Sequence, residues 1–271
     1  MAVSAADIKK LREATGAGMS DCKNALVEAD GDYDKAVETL RIKGLKGVAK
    51  REGRAASNGL VTAKLEGTSK GTLLELNCET DFVAKGERFQ ALAETVVGAA
   101  LGASDPSAVT VDGRPLQEVL DEANATLGEK IEVRRVQTYE APYVGVYLHK
   151  TSPDLPAQVG VLIALTGEAP EVAKDVAQHI TAFSPQFVSR DQVDADVVAK
   201  EREIARATAI EEGKPEAALD KIVEGRVTGF FKDNVLLEQA FAKDSKKTVA
   251  KVLEEAGVEI VGFTRFKVGQ A

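Results

Sequence analysis

The chain has 271 residues, 44% hydrophobic and 29% charged, enough for two or three domains with cores of their own and too apolar for wholesale disorder. Its 43 Asp and Glu against 35 Lys and Arg leave a net charge of −8, which argues against a general nucleic-acid binder, because nonspecific phosphate affinity comes from clustered cations. No apolar run reaches the roughly eighteen residues of a membrane span, Met1 to Lys10 lacks a signal-type apolar segment, and Cys22 and Cys78 have no clustered partners, so a cytoplasmic protein in a reducing compartment is expected.

Residues 1–40 read as three short helices. Ala5 to Glu13 places Ile8 and Leu11 on one side, and "TGAGMSD" breaks that pattern so that Ser20 or Asp21 can cap the next helix. The second helix carries Ala25, Leu26 and Ala29 and stops at "DGD"; the third begins at Asp32 and spaces Ala36, Val37 and Leu40 for burial. The basic segment "RIKGLKGVAKREGRA" follows, with Arg41, Lys43, Lys46, Lys50, Arg51 and Arg54. It has no interleaved aromatic rings to stack on bases, so it reads as a solvated linker rather than a nucleic-acid patch.

From Gly59 the period changes to two, and "GLVTAKLEG" and "GTLLELNCE" are predicted strands joined at a Gly67–Gly71 turn. After "TDFVAKG" a helix carries Phe89, Leu92, Val96 and Val97; "RPLQEVLDEANATLG" and the strand "IEVRRVQTYE" close the unit near Glu140. The plan then repeats: strands "YVGVYLHK" and "QVGVLIALTG", then a helix "PEVAKDVAQHITAF" with "VAK" near its start, as in the first unit. Ser189 to Phe231 is an inserted helical hairpin punctuated by Gly213-Lys214-Pro215, polar enough to project as an arm. A helix in "SKKTVAKVLEEAG" and a strand "VEIVGFTRFKV" complete the second sheet.

The expected class is therefore α+β: a helical module and linker over 1–54, a core unit over 55–140, a second core unit over 141–188 and 232–271, and the hairpin over 189–231. Catalytic chemistry is poorly supplied. His149 and His179 lie in no recognisable catalytic pattern, and His179 reads as a helix-surface or boundary residue. Cys78, in a strand, reads as a small buried thiol. Gly16 and Gly18 precede a helix, but no strand comes before them and no Gly-Lys-Ser/Thr ending follows, so a helix–helix turn is expected rather than a phosphate loop. No Cys/His cluster has metal-ligand spacing, and neither metal nor cofactor is expected. The residues alone describe a binding protein rather than an enzyme.

Two longer stretches say more. "LREATGAGMSDCKNAL", Leu11 to Leu26, and "ELNCETDFVA", Glu75 to Ala84, resemble the two signature motifs of the elongation factor Ts family, the guanine-nucleotide exchange factors of elongation factor Tu. "RIKG", "IEVRRV", "KIVEGR", "KKTV" and "GFTRFKVG" follow in the family's order. The resemblance implies a ubiquitin-associated-like N-terminal three-helix module that docks on the partner's GTP-binding domain, a two-part core, and a helical arm able to serve in homodimerisation. It implies elongation factor Tu as partner, GDP-bound and nucleotide-free, with no membrane and no direct nucleic-acid contact. Thr80, Asp81, Phe82 and Val83 match the segment that dislodges the partner's Mg²⁺. Arg12, Met19 and Cys22 in the first motif, and His149 in "YLHK", match partner-contact positions. The connection "KTSPDLPAQ" after His149 is longer than the family pattern, and the C-terminal module of longer members is expected to be lacking.

Two rival readings accompany this one: an adaptor that uses the helical module without affecting nucleotide, and a thiol enzyme built on Cys78 and His149. For Phe82 there is also a packing alternative. Phe82 and Phe89 are seven residues apart, so one continuous helix would bury both, but Gly86 between them argues against such a helix.

Overall fold

The computed structural model describes residues 3–15, 17–51 and 53–270, without the side chains of 45–50. The N-terminal module packs α1 (Ala5–Thr15), α2 (Met19–Glu28) and α3 (Tyr33–Arg51) around Leu11, Cys22, Ala25, Leu26, Ala36 and Leu40, the apolar positions that helical spacing predicts. Gly18 is the N-cap of α2 and no side chain caps that helix, so neither Ser20 nor Asp21 takes the expected role; Gly16 lies outside the described residues.

The basic segment is not a linker. Helix α3 runs through it to Arg51 and packs on a helix of the core, α6 (Leu116–Leu127). The Arg41 guanidinium pairs with Glu122 at 3.1 Å, and Arg51 donates to the Asn124 carbonyl at 3.2 Å. At Gly44 an added Cβ would stand 2.5 Å from the Ala125 Cβ, so glycine permits the close approach. Lys and Arg are good helix formers, and here acidic and carbonyl groups of α6 receive Arg41 and Arg51; sequence spacing does not display that tertiary partner. The side chains of Lys46 and Lys50 lie outside the description.

The core is a stack of two three-stranded antiparallel sheets between helical layers. In the first sheet β2 (Lys70–Cys78) lies between β1 (Asn58–Glu66) and β5 (Glu132–Glu140). A small hairpin, β3 (Thr110–Val111) and β4 (Arg114–Pro115), precedes α6. In the second sheet β7 (Val159–Leu165) lies between β6 (Tyr143–His149) and β10 (Ile260–Lys267). Both sheets thus order their strands first, second, third along the chain, with the second in the centre. The outer face of the first packs on α4 (Asp81–Lys85), α5 (Glu87–Ala99) and α6. The outer face of the second packs on α7 (Pro170–Phe183) and α10 (Val249–Glu255). Val61, Leu73, Val144, Leu162, Ala164 and Phe266 fill the seam between the sheets. Cover on both sides buries β2 and β7 along almost their whole length: β7 reads as an unbroken apolar run, while β2 keeps its alternation and buries Glu75 and Asn77 on its second face. At Gly160 a Cβ would meet Val61 at 2.5 Å, so the seam closes only over a residue without a side chain.

One buried ion pair ties the seam. Glu75, fully buried, accepts from Arg135 at 2.5 Å and from the Gly269 N–H at 3.2 Å, while Arg135 stacks over Phe266. Between α7 and α10 stand α8 (Ala195–Glu211) and α9 (Glu216–Asn234), an antiparallel hairpin, and the short pair β8 (Ala240–Phe241) and β9 (Asp244–Thr248). The hairpin has its own core of Ala205, Val223, Val227 and Phe231, and cross-helix pairs such as Arg206–Asp220 at 2.8 Å; Ile204 and Ile210 stay exposed. Among the described residues no helix is long and apolar enough to cross a membrane.

His179 is not a surface or boundary residue. It is fully buried in α7, stacked on Phe183 and Phe241. The Ala242 N–H donates to its Nδ1 at 3.2 Å, which places the ring proton on Nε2, 2.8 Å from Gln239 Oε1. Its spacing next to Ile180 hid this because the imidazole satisfies both nitrogens inside the protein, so burial leaves no polar group unpaired.

Candidate functional site

Phe82 is 83% exposed while Phe89, seven residues on, is completely buried. The helix is interrupted between them: Gly86 is extended, with φ −68° and ψ 135°, ending α4 and opening α5. The short first segment can therefore turn Phe82 outward while α5 directs Phe89 into the core beside Val96 and Val97. Such a large lone ring in solvent has no role in packing this chain, since burial of its apolar surface is what would stabilise the fold.

The backbone beneath the ring is held firmly. Thr80 is the N-cap of α4, and its Oγ1 accepts from the Val83 N–H at 3.4 Å. Glu129, just beyond α6, accepts from the Glu79 N–H at 3.1 Å, the Thr80 N–H at 3.0 Å and the Thr80 hydroxyl at 2.5 Å. Glu79 returns the bracket: its carboxylate accepts from the Lys130 N–H at 2.7 Å and pairs with Arg54 at 3.2 Å, and the Lys130 hydrogen bond first, then Arg54, lowers its pKa. Two carboxylates, each receiving backbone N–H groups of the other's loop, fasten the β2–α4 junction to the α6–β5 junction. Val83 packs against the core below, and the Asp81 carboxylate pairs with Lys85 at 2.8 Å; their hydrogen bond is the main cause of the lowered Asp81 pKa. Glu79 and Glu129 escaped the sequence reading, because their roles depend on two loops about fifty residues apart meeting in space. The signal "GEK" after a helix marks only a turn.

Cys78 donates its S–H to the Thr80 carbonyl at 3.1 Å and is fully buried. Burial, then the charge of Glu129, pushes its pKa up to about 12, so the thiol is neither accessible nor ionised as a nucleophile must be. The thiol-enzyme reading loses its nucleophile.

His149 ends β6, half-buried, with the Tyr147 hydroxyl 3.4 Å from its Nδ1. Its loop reaches back toward Phe82. The Val61 N–H donates to the Ala157 carbonyl, Gln158 donates to the Gly59 carbonyl, and Asp154 acts electrostatically on Lys85 of α4. The starts of β1 and β7 and the ends of β2, β6 and β10 thus gather at one end of the stacked sheets, the end that carries Phe82. The residues of the first motif lie apart, on the helical module. Arg12 is exposed, Met19 is 50% exposed at the start of α2, and Val27 and Ile42 add exposed apolar surface. Cys22, expected at a contact position, is fully enclosed in the module's core, its Sγ 3.6 Å from the Ala17 carbonyl, and offers no side-chain surface of its own.

The family model described as "Elongation factor TS" matches residues 79–270, from the residue before Thr80 to just past the last strand. The chain is similar to curated relatives named "Elongation factor Ts": 59% identical to that of Acidothermus cellulolyticus over 270 residues, spanning 98% of both chains, and 58% identical to that of Paenarthrobacter aurescens over 274 residues, also 98% of both. The relative of the same name from Thermobifida fusca is 56% identical over 274 residues, 99% of each chain.

Proposed function

This chain belongs to the elongation factor Ts family of translation factors, and from that premise we propose that it binds elongation factor Tu·GDP and speeds GDP release by pressing Phe82 into the partner's Mg²⁺- and phosphate-binding region. The observation that carries the reading is an exposed ring on a braced backbone. Mg²⁺ tolerates little departure from octahedral oxygen ligands at about 2.0–2.1 Å, so a backbone displacement of the order of 1 Å strips ligands and loosens the phosphate cradle. A wedge can impose such a shift only if its own base does not yield. Thr80 caps the helix, Glu129 and Glu79 clamp the junction, and Val83 fixes the turn to the core.

Magnitude limits the ring to part of the work. Burying one aromatic side chain contributes about 1.5–3 kcal/mol, a factor of roughly ten to a hundred in an equilibrium. The remaining weakening comes from a broad interface to which the helical module, through Arg12 and Met19, and His149 contribute. Linkage makes the coupling reciprocal: a factor that weakens GDP binding is itself weakened by GDP, and GTP binding expels it. No covalent step occurs, so the chain acts as an exchange factor and not as an enzyme. The α8–α9 hairpin is the arm available for homodimerisation.

Stopped-flow release of labelled GDP from elongation factor Tu, with and without this chain, tests the proposal. Acceleration is expected. An unchanged release rate despite binding would instead describe the adaptor reading.

A further inference from the structure

Beside His149 the second sheet extends past the end of α7, and the step between them leaves a cleft of about 440 Å³. The sheet supplies Tyr147, His149, Arg265 and Lys267; the last turns of α7 supply Gln178 and Thr181. No Asp or Glu lines it. The chain carries a net charge of −8, so carboxylates outnumber cations over the molecule as a whole. Among the described residues neither Arg265 nor Lys267 has a carboxylate partner. Arg265 donates only to the Thr181 carbonyl, through Nε and Nη2, both at a long 3.4 Å. Its charged form is disfavoured, first by burial and then by the neighbouring Arg135 guanidinium, whose own partner, Glu75, is already engaged. When the Tyr147 hydroxyl donates to His149 Nδ1, the neutral ring carries its proton on Nε2 and offers one more donor. The result is a recess of donors and cations with no acceptor side chain of opposite charge.

We infer that this cleft is an anion site that receives an acidic side chain of the docked GTPase, elongation factor Tu. The inference rests on the exchange-factor reading and adds to it a specific polar anchor. The occupant follows from position. The cleft is lined by the end of β6, the start of β7 and the end of β10, at the same end of the stacked sheets as Phe82 but on the α7 side, so a partner that covers this end across both sheets reaches both. A planar guanidinium recognises a carboxylate bidentately, and partial burial of the pair protects it from the screening that makes exposed pairs weak. Phe82 then supplies the distortion, while the cleft sets the orientation in which the ring approaches.

The test measures the affinity of the full chain for GDP-bound elongation factor Tu, and GDP release, for the parent, Lys267→Gln and Arg265→Gln. The Lys267 ammonium has no ion pair among the described residues, so Lys267→Gln is expected to fold as the parent does; Arg265→Gln is read beside it because Arg265 also holds the Thr181 carbonyl. Each is expected to weaken binding by about fivefold to tenfold, with the loss shrinking as salt is raised and with little change in the release rate once the factor is saturating. Unchanged affinity in both variants, with the parent still accelerating GDP release, overturns the anchor and leaves the exchange reading intact. A parent that does not accelerate release removes that reading and the anchor with it. Inorganic phosphate is titrated in parallel against the His149 ring signals: phosphate binding without any effect of the variants on partner affinity assigns the cleft to a free anion and overturns the inference.

Discussion

The two core units start their helices on the same pattern and put it to different uses. Asp81-Phe82-Val83-Ala84-Lys85 opens α4, and Pro170-Glu171-Val172-Ala173-Lys174 opens α7. After the first position the burial agrees: Val83 and Val172 are half-buried, Ala84 and Ala173 are buried, and Lys85 and Lys174 are exposed. Phe82 therefore corresponds to Glu171, also exposed, at a place where the fold asks only for contact with water. The bracing differs as well. Thr80 caps α4 and is clamped by Glu129, whereas α7 begins on Pro170 with no side-chain cap, and runs unbroken to Phe183 where α4 stops at Gly86. The comparison shows that the ring and its clamp are additions to a helix start that folds without either.

The most direct way to break the comparison is to make the first unit resemble the second. Phe82→Glu, or Phe82→Ala, is expected to slow factor-stimulated GDP release by roughly ten- to a hundredfold while changing unfolding stability by no more than about 0.5 kcal/mol. Equal release rates for variant and parent would take the ring out of the mechanism.

Next in size is the clamp. Glu129→Gln loses the charged acceptor of the Glu79 and Thr80 N–H groups and is expected to reduce stimulated release about tenfold. The decisive measurement is a double-variant cycle: in the Phe82→Ala background the same change should reduce release very little further, because a loosened base matters only when it carries a ring. Additive effects would mean that Glu129 acts on its own account.

A smaller effect separates the second unit. His179 has a pKa lowered from 6.5, chiefly by burial, so below that value the unfolded chain takes up a proton that the native chain refuses. Stability is therefore complete above about pH 6.5 and is lost as pH falls from there toward the lowered folded value. Denaturant unfolding across that range should show a slope that flattens in His179→Gln. The smallest expectation concerns Cys78: Cys78→Ser should leave stimulated release within about twofold of the parent, and native protein should resist alkylation there, since the thiol is buried and its pKa stands at about 12.

Much of this molecule is written in short-range pattern. Period two marked β1 and β2, the repeat of that plan marked β6 and β7, helical spacing gave α5 and α7, and Gly86 marked the break that frees Phe82, because each of these features depends on residues close to one another along the chain. The motifs around Leu11–Leu26 and Glu75–Ala84 likewise carry the family in their own letters. What tertiary structure decided is everything that needs distant segments to meet. It made the basic segment a helix by setting Arg41 and Arg51 on α6, it enclosed His179 by bringing Gln239 and Ala242 to its ring, and it set Glu129 beneath Thr80. A polar or charged side chain is read as exposed until its partner is known, and in those three places the partner lies about fifty residues or more away along the chain. Local spacing fixes which side of an element is apolar; only the assembled fold determines which charges and hydrogen-bonding groups find each other.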